Sequence, residues 1–400
     1  MDDPLSVSVL VLGPSGAGKT VYLASMFKHL ATQEPELGVL LTTSFPVRKE
    51  LSALYAKVAR PGPTWPSSTN TAEAREFIFD CKTRHNGTNH PVLRIRYLDY
   101  AGELLTDSGR DALDTQAEAD LQERIEQADT VLCLLDGNKL HKLCLGETEG
   151  IEYFNQHMDP VFGVLQEVEK PIHFVITKWD LLYRLKDSEA ASLEHARDVL
   201  LDIRAFRNLV ENAVMPHQNA LPAIRLIPVS SVGLDYVEPQ LDDSMVKLPG
   251  RIPTPLHVEQ PLLAILPDLF ASFIDSLDEE TRRRLIRDAS RVERLTPTER
   301  MNYLVGVFGD KFSKLISGTV GSLTGKRYEK VIDVTTQSVT AALRERAEEK
   351  LARREAALLQ VGALTEEAAV ARRIALHQMR SSLRRFEQVM PASILRSEQL

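Results

Sequence analysis

Four short apolar runs punctuate the chain before residue 235, and each ends in polar or glycine residues. They are Val7–Leu12, TVLCLLD at 130–136, PIHFVITKWD at 171–180 and AIRLIPVSS at 223–231. Runs this short, rich in β-branched residues, read as strands buried on both faces, as in a parallel sheet. Helical spacing lies between them, at about 21–33, in a stretch ending at Asp129, at about 150–168, and in one long amphipathic helix at about 189–213. EFIFDCK (76–82) alternates, and VLRIRYLDY (92–100) follows after Asn86-Gly87. That pair predicts an antiparallel hairpin with a turn looser than two residues. Strands alternating with helices imply an α/β fold with a mainly parallel sheet, spanning about 1–277.

Two stretches break this rhythm. Residues 34–75 are irregular, with a short helical piece followed by ARPGPTWPSSTNT, which reads as loop. Residues 232–258 form a linker rich in Pro and Asp, ahead of an apolar helix at 260–277 interrupted or started at Pro267. From 278 to 400 the pattern changes. Only Pro297 and Pro391 occur there, no strand pattern recurs, and helical spacing dominates. Arg344, Glu345, Arg346, Glu348, Glu349 and Lys350 predict a salt-bridged outer face. No apolar heptad is sustained, so an all-helical C-terminal domain at 278–400 is expected in place of a long coiled coil. The amphipathic segment 306–325 reads as packing surface within it, with a partner-binding face and a membrane-surface helix as the alternatives.

Composition narrows the function classes. The net charge of −8 argues against non-specific nucleic-acid binding. The acidic excess lies before Asp278 and a basic excess after it, which suggests two functional units. Three cysteines form no disulfide framework or metal spacing, and Cys81 and Cys133 fall in apolar strands as buried small hydrophobes. An acidic N-terminus leading straight into the first strand is unlike a signal peptide. No apolar run is long enough for a transmembrane helix. A cytoplasmic, reducing location is expected.

The first strand leads into Gly13-Pro14-Ser15-Gly16-Ala17-Gly18-Lys19-Thr20, with Val21 opening a helical stretch. This is the phosphate-loop pattern G-x-x-x-x-G-K-[ST] in its required strand-to-helix setting. Glycines let successive N–H groups surround phosphate oxygens, and the helix N-terminus adds partial positive charge. Lys19 would reach the β- and γ-phosphates, and the Thr20 hydroxyl would ligate Mg²⁺. Three later segments also stand at strand ends. Asp99 could hold Mg²⁺ through water, with the Gly102 N–H on the γ-phosphate. In Thr177-Lys178-Trp179-Asp180, a carboxylate could accept two hydrogen bonds from guanine, which adenine does not offer, while the Lys178 stem packs along the base. At Ser230-Ser231, backbone N–H groups could meet the guanine O6.

The four motifs in this order resemble the P-loop GTPases of the translation-factor and Ras-like class over about 1–235. More narrowly, GPSGAGKTVYLASMF, LDYAGELL and PLHVEQPLLAIL resemble a bacterial group of double GTPases associated with multi-gene conflict or defence systems. The resemblance implies binding of GTP and GDP with Mg²⁺, slow hydrolysis, two switch segments, a protein effector or activating partner, and homo- or hetero-oligomers as an open option. The chain departs from the family in two places. The first switch carries an insertion at about 34–75, so its metal-binding hydroxyl is Thr69 or Thr71, with Ser67 and Ser68 nearby; Thr71 is the assignment taken. Glu103 stands where many members carry a water-orienting Gln, so Lys19, Gly102 and Glu103 form the catalytic set with weak intrinsic hydrolysis expected. Arg60 or Arg75 could serve as an arginine finger or remain a solvated charge. Three functions follow: a GTP switch read by the helical C-terminal domain, a GTP-dependent scaffold or adaptor that scarcely hydrolyses, and an ATP-using P-loop protein.

Overall fold

The computed structural model describes residues 5–31, 38–66, 75–100, 121–168, 170–214, 224–240, 244–275 and 364–395. Seven strands form one sheet: β1 (Leu5–Leu12), β2 (Leu40–Thr42), β3 (Arg75–His85), β4 (Thr88–Asp99), β5 (Thr130–Leu135), β6 (Ile172–Ile176) and β7 (Ile224–Pro228). Their spatial order is β2-β3-β4-β1-β5-β6-β7. Every neighbouring pair is parallel except those made by β3, which runs antiparallel to both β2 and β4. The fold is therefore mixed α/β with a mostly parallel sheet.

The strand pattern explains this layering. β5, β6 and β7 are buried at every position, because helices cover both of their faces. In β3, alternate residues are buried, with Phe77, Phe79 and Cys81 turned inward. Its other face carries ion pairs to β4, Arg94–Asp80 at 2.8 Å and Arg96–Glu76 at 2.6 Å. The expected loose turn of this hairpin is instead a tight one. His85 pairs directly with Thr88, and Asn86 and Gly87 both take positive φ, 48° and 79°. Asn-Gly suits this two-residue turn, whose twist matches that of the strands.

The helices are α1 (Lys19–Leu30), α2 (Phe45–Ala59), α3 (Gly137–Cys144), α4 (Thr148–Tyr153), α5 (Asp159–Leu165), α6 (Glu189–Leu201), α7 (Arg204–Val214), α8 (Gln260–Asp275) and α9 (Leu364–Val389). A π-helical turn, Phe154–Met158, joins α4 to α5 in one helical run. The single long helix expected at 189–213 is two. Ile203 N–H bonds back to Leu200 O at 3.0 Å, which tightens the last turn of α6, and the Arg207 side chain donates to the Leu201 carbonyl at 2.7 Å. The break lets Phe206 of α7 meet Phe162 and Phe174 edge to face, with centroids 5.1 and 5.0 Å away. α8 runs continuously through Pro267. The linker 232–258 holds a small hairpin that the sequence pattern concealed, β8 (Val237–Pro239) with β9 (Met245–Lys247).

Part of the segment assigned from sequence to a helical C-terminal domain returns to the sheet. α9 packs against α8, β3 and β4, burying Met379, Leu383 and Phe386. Ile394 then bridges Arg225 on β7, and Leu395 N–H donates to the Ile224 carbonyl at 3.1 Å. A charge network fixes this closure. Arg225, 7% exposed, forks onto Asp268 of α8, with Nη2 at 2.5 Å from Oδ1, and reaches Glu387 of α9 at 2.6 Å. His173 of β6 lies 2.8 Å from the same Asp268. Burial alone would raise the Asp268 pKa, but Arg225 and His173 hold it down at about 2. A buried pair of this kind contributes little net stability yet is costly to break.

Asp268→Ala should therefore lower unfolding free energy by about 3 kcal/mol, because Arg225 loses its fork and keeps only Glu387. Chemical denaturation checks this. The double variant Arg225→Met with Asp268→Leu should recover most of the loss.

Candidate functional site

All the candidate motifs described here sit at the carboxyl edge of the sheet, where parallel α/β folds place ligands. β1, in the middle, ends at Leu12 and opens the loop 13–18 into α1. Its neighbours end at Asp99 on one side and Asp136 on the other, and β6 and β7 deliver Thr177 and Ser230. The order that the sequence motifs require is thus met by adjacent strand ends.

The loop is shaped for an anion. Gly16 and Gly18 take φ of 77° and 89°, a region that other residues reach only with strain. Gly18 caps α1 with no side chain, so the first N–H groups of the helix stay directed outward. Lys19 folds its ammonium back over the loop, donating to the Gly13 carbonyl at 2.5 Å and the Pro14 carbonyl at 3.2 Å. Val21 follows at the first turn, half-buried.

Thr177 joins this loop to the end of β6. Its hydroxyl lies 2.7 Å from the Ala17 carbonyl and 3.0 Å from the Leu135 carbonyl, so its proton is shared between them. On the next strand end, a Cβ at Gly137 would stand 1.9 Å from the Thr177 carbonyl, so the backbones touch where only glycine fits. Lys178 takes a left-handed conformation, φ 49°, and pairs with Asp136 at 2.7 Å. Asp136 also caps α3 by accepting from the Asn138 N–H at 2.9 Å. Sequence reading missed Asp136; the signal was an Asp followed by Gly-Asn at a strand end, an N-cap pattern.

Asp180 is held by the last motif. The Ser230 hydroxyl donates to its Oδ1 at 2.6 Å and itself accepts from the Gly233 N–H at 2.9 Å. The Ser230 N–H is taken by the Leu256 carbonyl at 3.1 Å, so a base oxygen would be met by amides after it, not by Ser230. Ser231 is buried beside it. Trp179 is fully buried, with its indole N–H on Glu189 at 2.8 Å. Burial raises the Asp180 pKa, against the pull of Ser230, its own amide and Lys178.

Asp99 fits a cation. It is buried, Oδ1 has no hydrogen-bond partner among the described residues, and the positive charges of Lys19 and Arg75 act on it. Burial nonetheless raises its pKa. An orphaned buried carboxylate oxygen beside a phosphate loop suits Mg²⁺ binding, with Thr20 as the second protein group at the start of α1. Arg75 pairs with Glu50 at 2.7 Å and lies over Phe77, and Arg60 is exposed at the end of α2. Ser67, Ser68, Thr69, Thr71, Gly102 and Glu103 lie outside the described residues. Among the described residues no helix is long and apolar enough to cross a membrane.

No family model matches the chain. No curated protein matches it. Among solved structures it is similar to the Saccharomyces cerevisiae Ski7 GTPase-like domain bound to GTP, at 14% identity, over 67% of this chain and 51% of that one, with a TM-score of 0.35. It is similar to elongation factor SelB from Methanococcus maripaludis in complex with a GTP analogue, at 13% identity, over 58% and 31%, with a TM-score of 0.25. A third is the signal recognition particle receptor SRb-GTP/SRX complex from Chaetomium thermophilum, at 15% identity, over 57% and 91%, with a TM-score of 0.28. The chain thus spans 51% of the Ski7 domain's length and 31% of SelB's.

The raised pKa values of Asp99 and Asp180 give opposite pH trends. The ligand-free fold favours their protonated forms, so their contribution to stability is full below the ordinary Asp range and is lost as pH rises through the raised values. A ligand that needs both carboxylates ionised stabilises more over that same interval. Thermal melts between pH 4 and 8, with and without GTP and Mg²⁺, should therefore converge at the acid end. Parallel curves would contradict this.

Proposed function

We propose that the chain binds GTP with Mg²⁺ through its carboxyl-edge crevice and hydrolyses it slowly, as a conformational switch. The observation that carries this reading is the line Ala17–Thr177–Asp180–Ser230. Hydrogen bonds join the phosphate loop to Thr177 and Asp180 to Ser230, and only Lys178 and Trp179 separate the two pairs along the chain. A site for phosphate alone needs no such line. A buried carboxylate at a fixed place beside the cradle supplies acceptors for the N1–H and exocyclic amine of guanine, and adenine would leave it unpaired.

Within that reading, the amides of residues 13–18 and Lys19 hold the phosphates, and Thr20 and Asp99 hold Mg²⁺, with Thr71 as the third candidate ligand. The metal's contribution when bound is neutralisation of phosphate charge. Gly102 and Glu103 occupy the sequence position where the γ-phosphate and attacking water are read. Glu103 accepts from water but offers no amide proton to phosphate, and its charge opposes the phosphate. Intrinsic turnover is therefore placed at or below the ~10⁻⁴–10⁻² s⁻¹ of unassisted members of the class. That favours an activating protein partner, or the second reading, a GTP-dependent scaffold that scarcely hydrolyses. The readout belongs to the C-terminal helical region, because α9 packs on β3 and β4, the hairpin that ends at Asp99.

Nucleotide competition tests the base. Wild type should prefer GTP over ATP by at least about a hundredfold, given a buried carboxylate reading two donors. Asp180→Asn should move the preference to xanthosine triphosphate. A wild type that binds ATP better would remove the guanine reading and leave the ATP-using one.

Single-turnover cleavage by the purified chain should be slow and should rise when cellular extract is added. Rapid partner-free cleavage would overturn the role given to Glu103, and no cleavage under any condition would favour the scaffold.

A further inference from the structure

Outside the crevice, the linker hairpin β8–β9 contains a buried cation used in an unusual way. Lys247 is 3% exposed, and its ammonium donates to three backbone carbonyls, Lys57 at 2.6 Å, Thr64 at 2.8 Å and Arg60 at 3.1 Å. It also lies 4.5 Å from the centroid of the Trp65 ring. The ammonium has three protons, so every donor is used, and the ring face supplies further compensation for the buried charge. Lys57 is in the last turn of α2, where carbonyls lack intrahelical partners and the helix dipole is negative. Lys247 is thus a C-terminal cap for α2, delivered from 190 residues away.

A second bond from the same linker reaches the same helix end. The Tyr236 hydroxyl donates to the Val58 carbonyl at 2.9 Å, and the Trp65 indole N–H returns to the Met245 carbonyl at 2.6 Å. Val58, Val232 and Tyr236 form a small core of their own, separate from the main one, and Val21, Trp65 and Val237 pack on it. Val21 belongs to the first turn of α1, directly after the phosphate loop.

The other end of this linker is the base-reading turn. Ser230 holds Asp180, Gly233 N–H holds Ser230, and Thr254 N–H holds the Val232 carbonyl at 2.9 Å. Three residues after Gly233 comes Tyr236, whose carbonyl accepts from Leu248 N–H at 2.9 Å and so fixes β9 against the turn. An unbroken path of hydrogen bonds and short backbone segments runs from the Asp180 carboxylate to the carbonyls of residues 57–64. The insertion residues Thr69 and Thr71 follow Trp65 closely in the sequence.

We propose that Lys247 and Trp65 are positioning residues that couple base recognition at Asp180–Ser230 to the end of α2 and the chain leading to the first switch. The inference rests on the GTP reading above. A guanine that donates two hydrogen bonds to Asp180 loads the same carboxylate that accepts from the Ser230 hydroxyl and re-seats it against Ser230. A shift of Ser230 is passed through Gly233 to Tyr236 and β9, and Lys247 carries it to residues 57–65. The phosphates reach this path only indirectly, through Ala17–Thr177 and the Val21 contact, whereas the base acts on its first residue, Asp180, so the larger effect belongs to the base.

The chain has two tryptophans, Trp65 and Trp179, so fluorotryptophan labelling of the full chain gives one fluorine resonance for each, assigned with Trp65→Phe. With Mg²⁺ present, the Trp65 resonance should shift on saturation with GTP or GDP and shift far less with tripolyphosphate, which fills only the cradle. In Lys247→Met, which keeps the apolar stem and loses the donors, GTP affinity should change by no more than about threefold while the single-turnover rate falls about tenfold, and the Trp65 shift should vanish. A merely structural Lys247 would lower the melting temperature without erasing the shift in the folded variant. If Lys247→Met does not fold, the wild-type comparison of GTP with tripolyphosphate decides. An unmoved Trp65 in GTP-saturated protein, or an equal shift with tripolyphosphate, overturns the proposal. Absence of GTP binding in the wild type, measured independently by equilibrium dialysis, would overturn the GTP reading itself.

Discussion

A phosphate loop is held together by what lies outside it. Amides that point at an anion are not spent on shaping the loop, so much of its shape has to come from its carbonyls. Here Lys19 takes the Gly13 and Pro14 carbonyls, the Ala17 N–H also bonds to Pro14, and Thr177 takes the Ala17 carbonyl. The Thr177 bond matters most, because it comes from another strand. It sets the distance between the loop at 13–18 and the residues that follow β6. Gly137 then allows the neighbouring strand end to come within backbone contact of the same residue.

The remainder of the molecule surrounds that edge with ties of long sequence reach. Asp136 fixes Lys178, Ser230 fixes Asp180, and Glu189 fixes Trp179 while lying 3.2 Å from His257, whose ring meets Phe386 of α9 at 5.2 Å. The far end of the chain is therefore in contact with groups that support the crevice. α8 and α9 lie side by side, and α9 also packs on β3 and β4.

Much of the fold was legible because its signals are local. Buried parallel strands announce themselves as apolar runs such as TVLCLL, and each motif residue sits at the end of its run. The loop at 13–20, Asp99, Thr177, Asp180 and Ser230 were picked out as candidates for that reason, and adjacent strand ends bring them to one edge of the sheet. What stayed hidden depends on distant partners. Val237–Pro239 and Met245–Lys247 are too short and too polar to read as strands, and they form because Lys247 and Tyr236 find helix-end carbonyls far back in sequence. The break between α6 and α7 has no Pro or Gly to mark it; the edge-to-face packing of Phe206 and the Arg207 cap accompany it. The tight Asn86-Gly87 turn was misjudged because the strands were read as shorter than they are, which left too many residues for the connection.

The sheet's two open edges are closed in different ways. β2 is only three residues long and offers little backbone for another strand to pair with. β7 is longer and fully buried, and its outer backbone is met by Ile394 and Leu395, near the end of the chain. An unpaired strand rich in Ile and Leu is a template for another chain. The last described residues thus act as a guard strand. A protein shortened just before Ile394 would keep every residue of the crevice, yet it would present β7 as a docking edge for copies of itself.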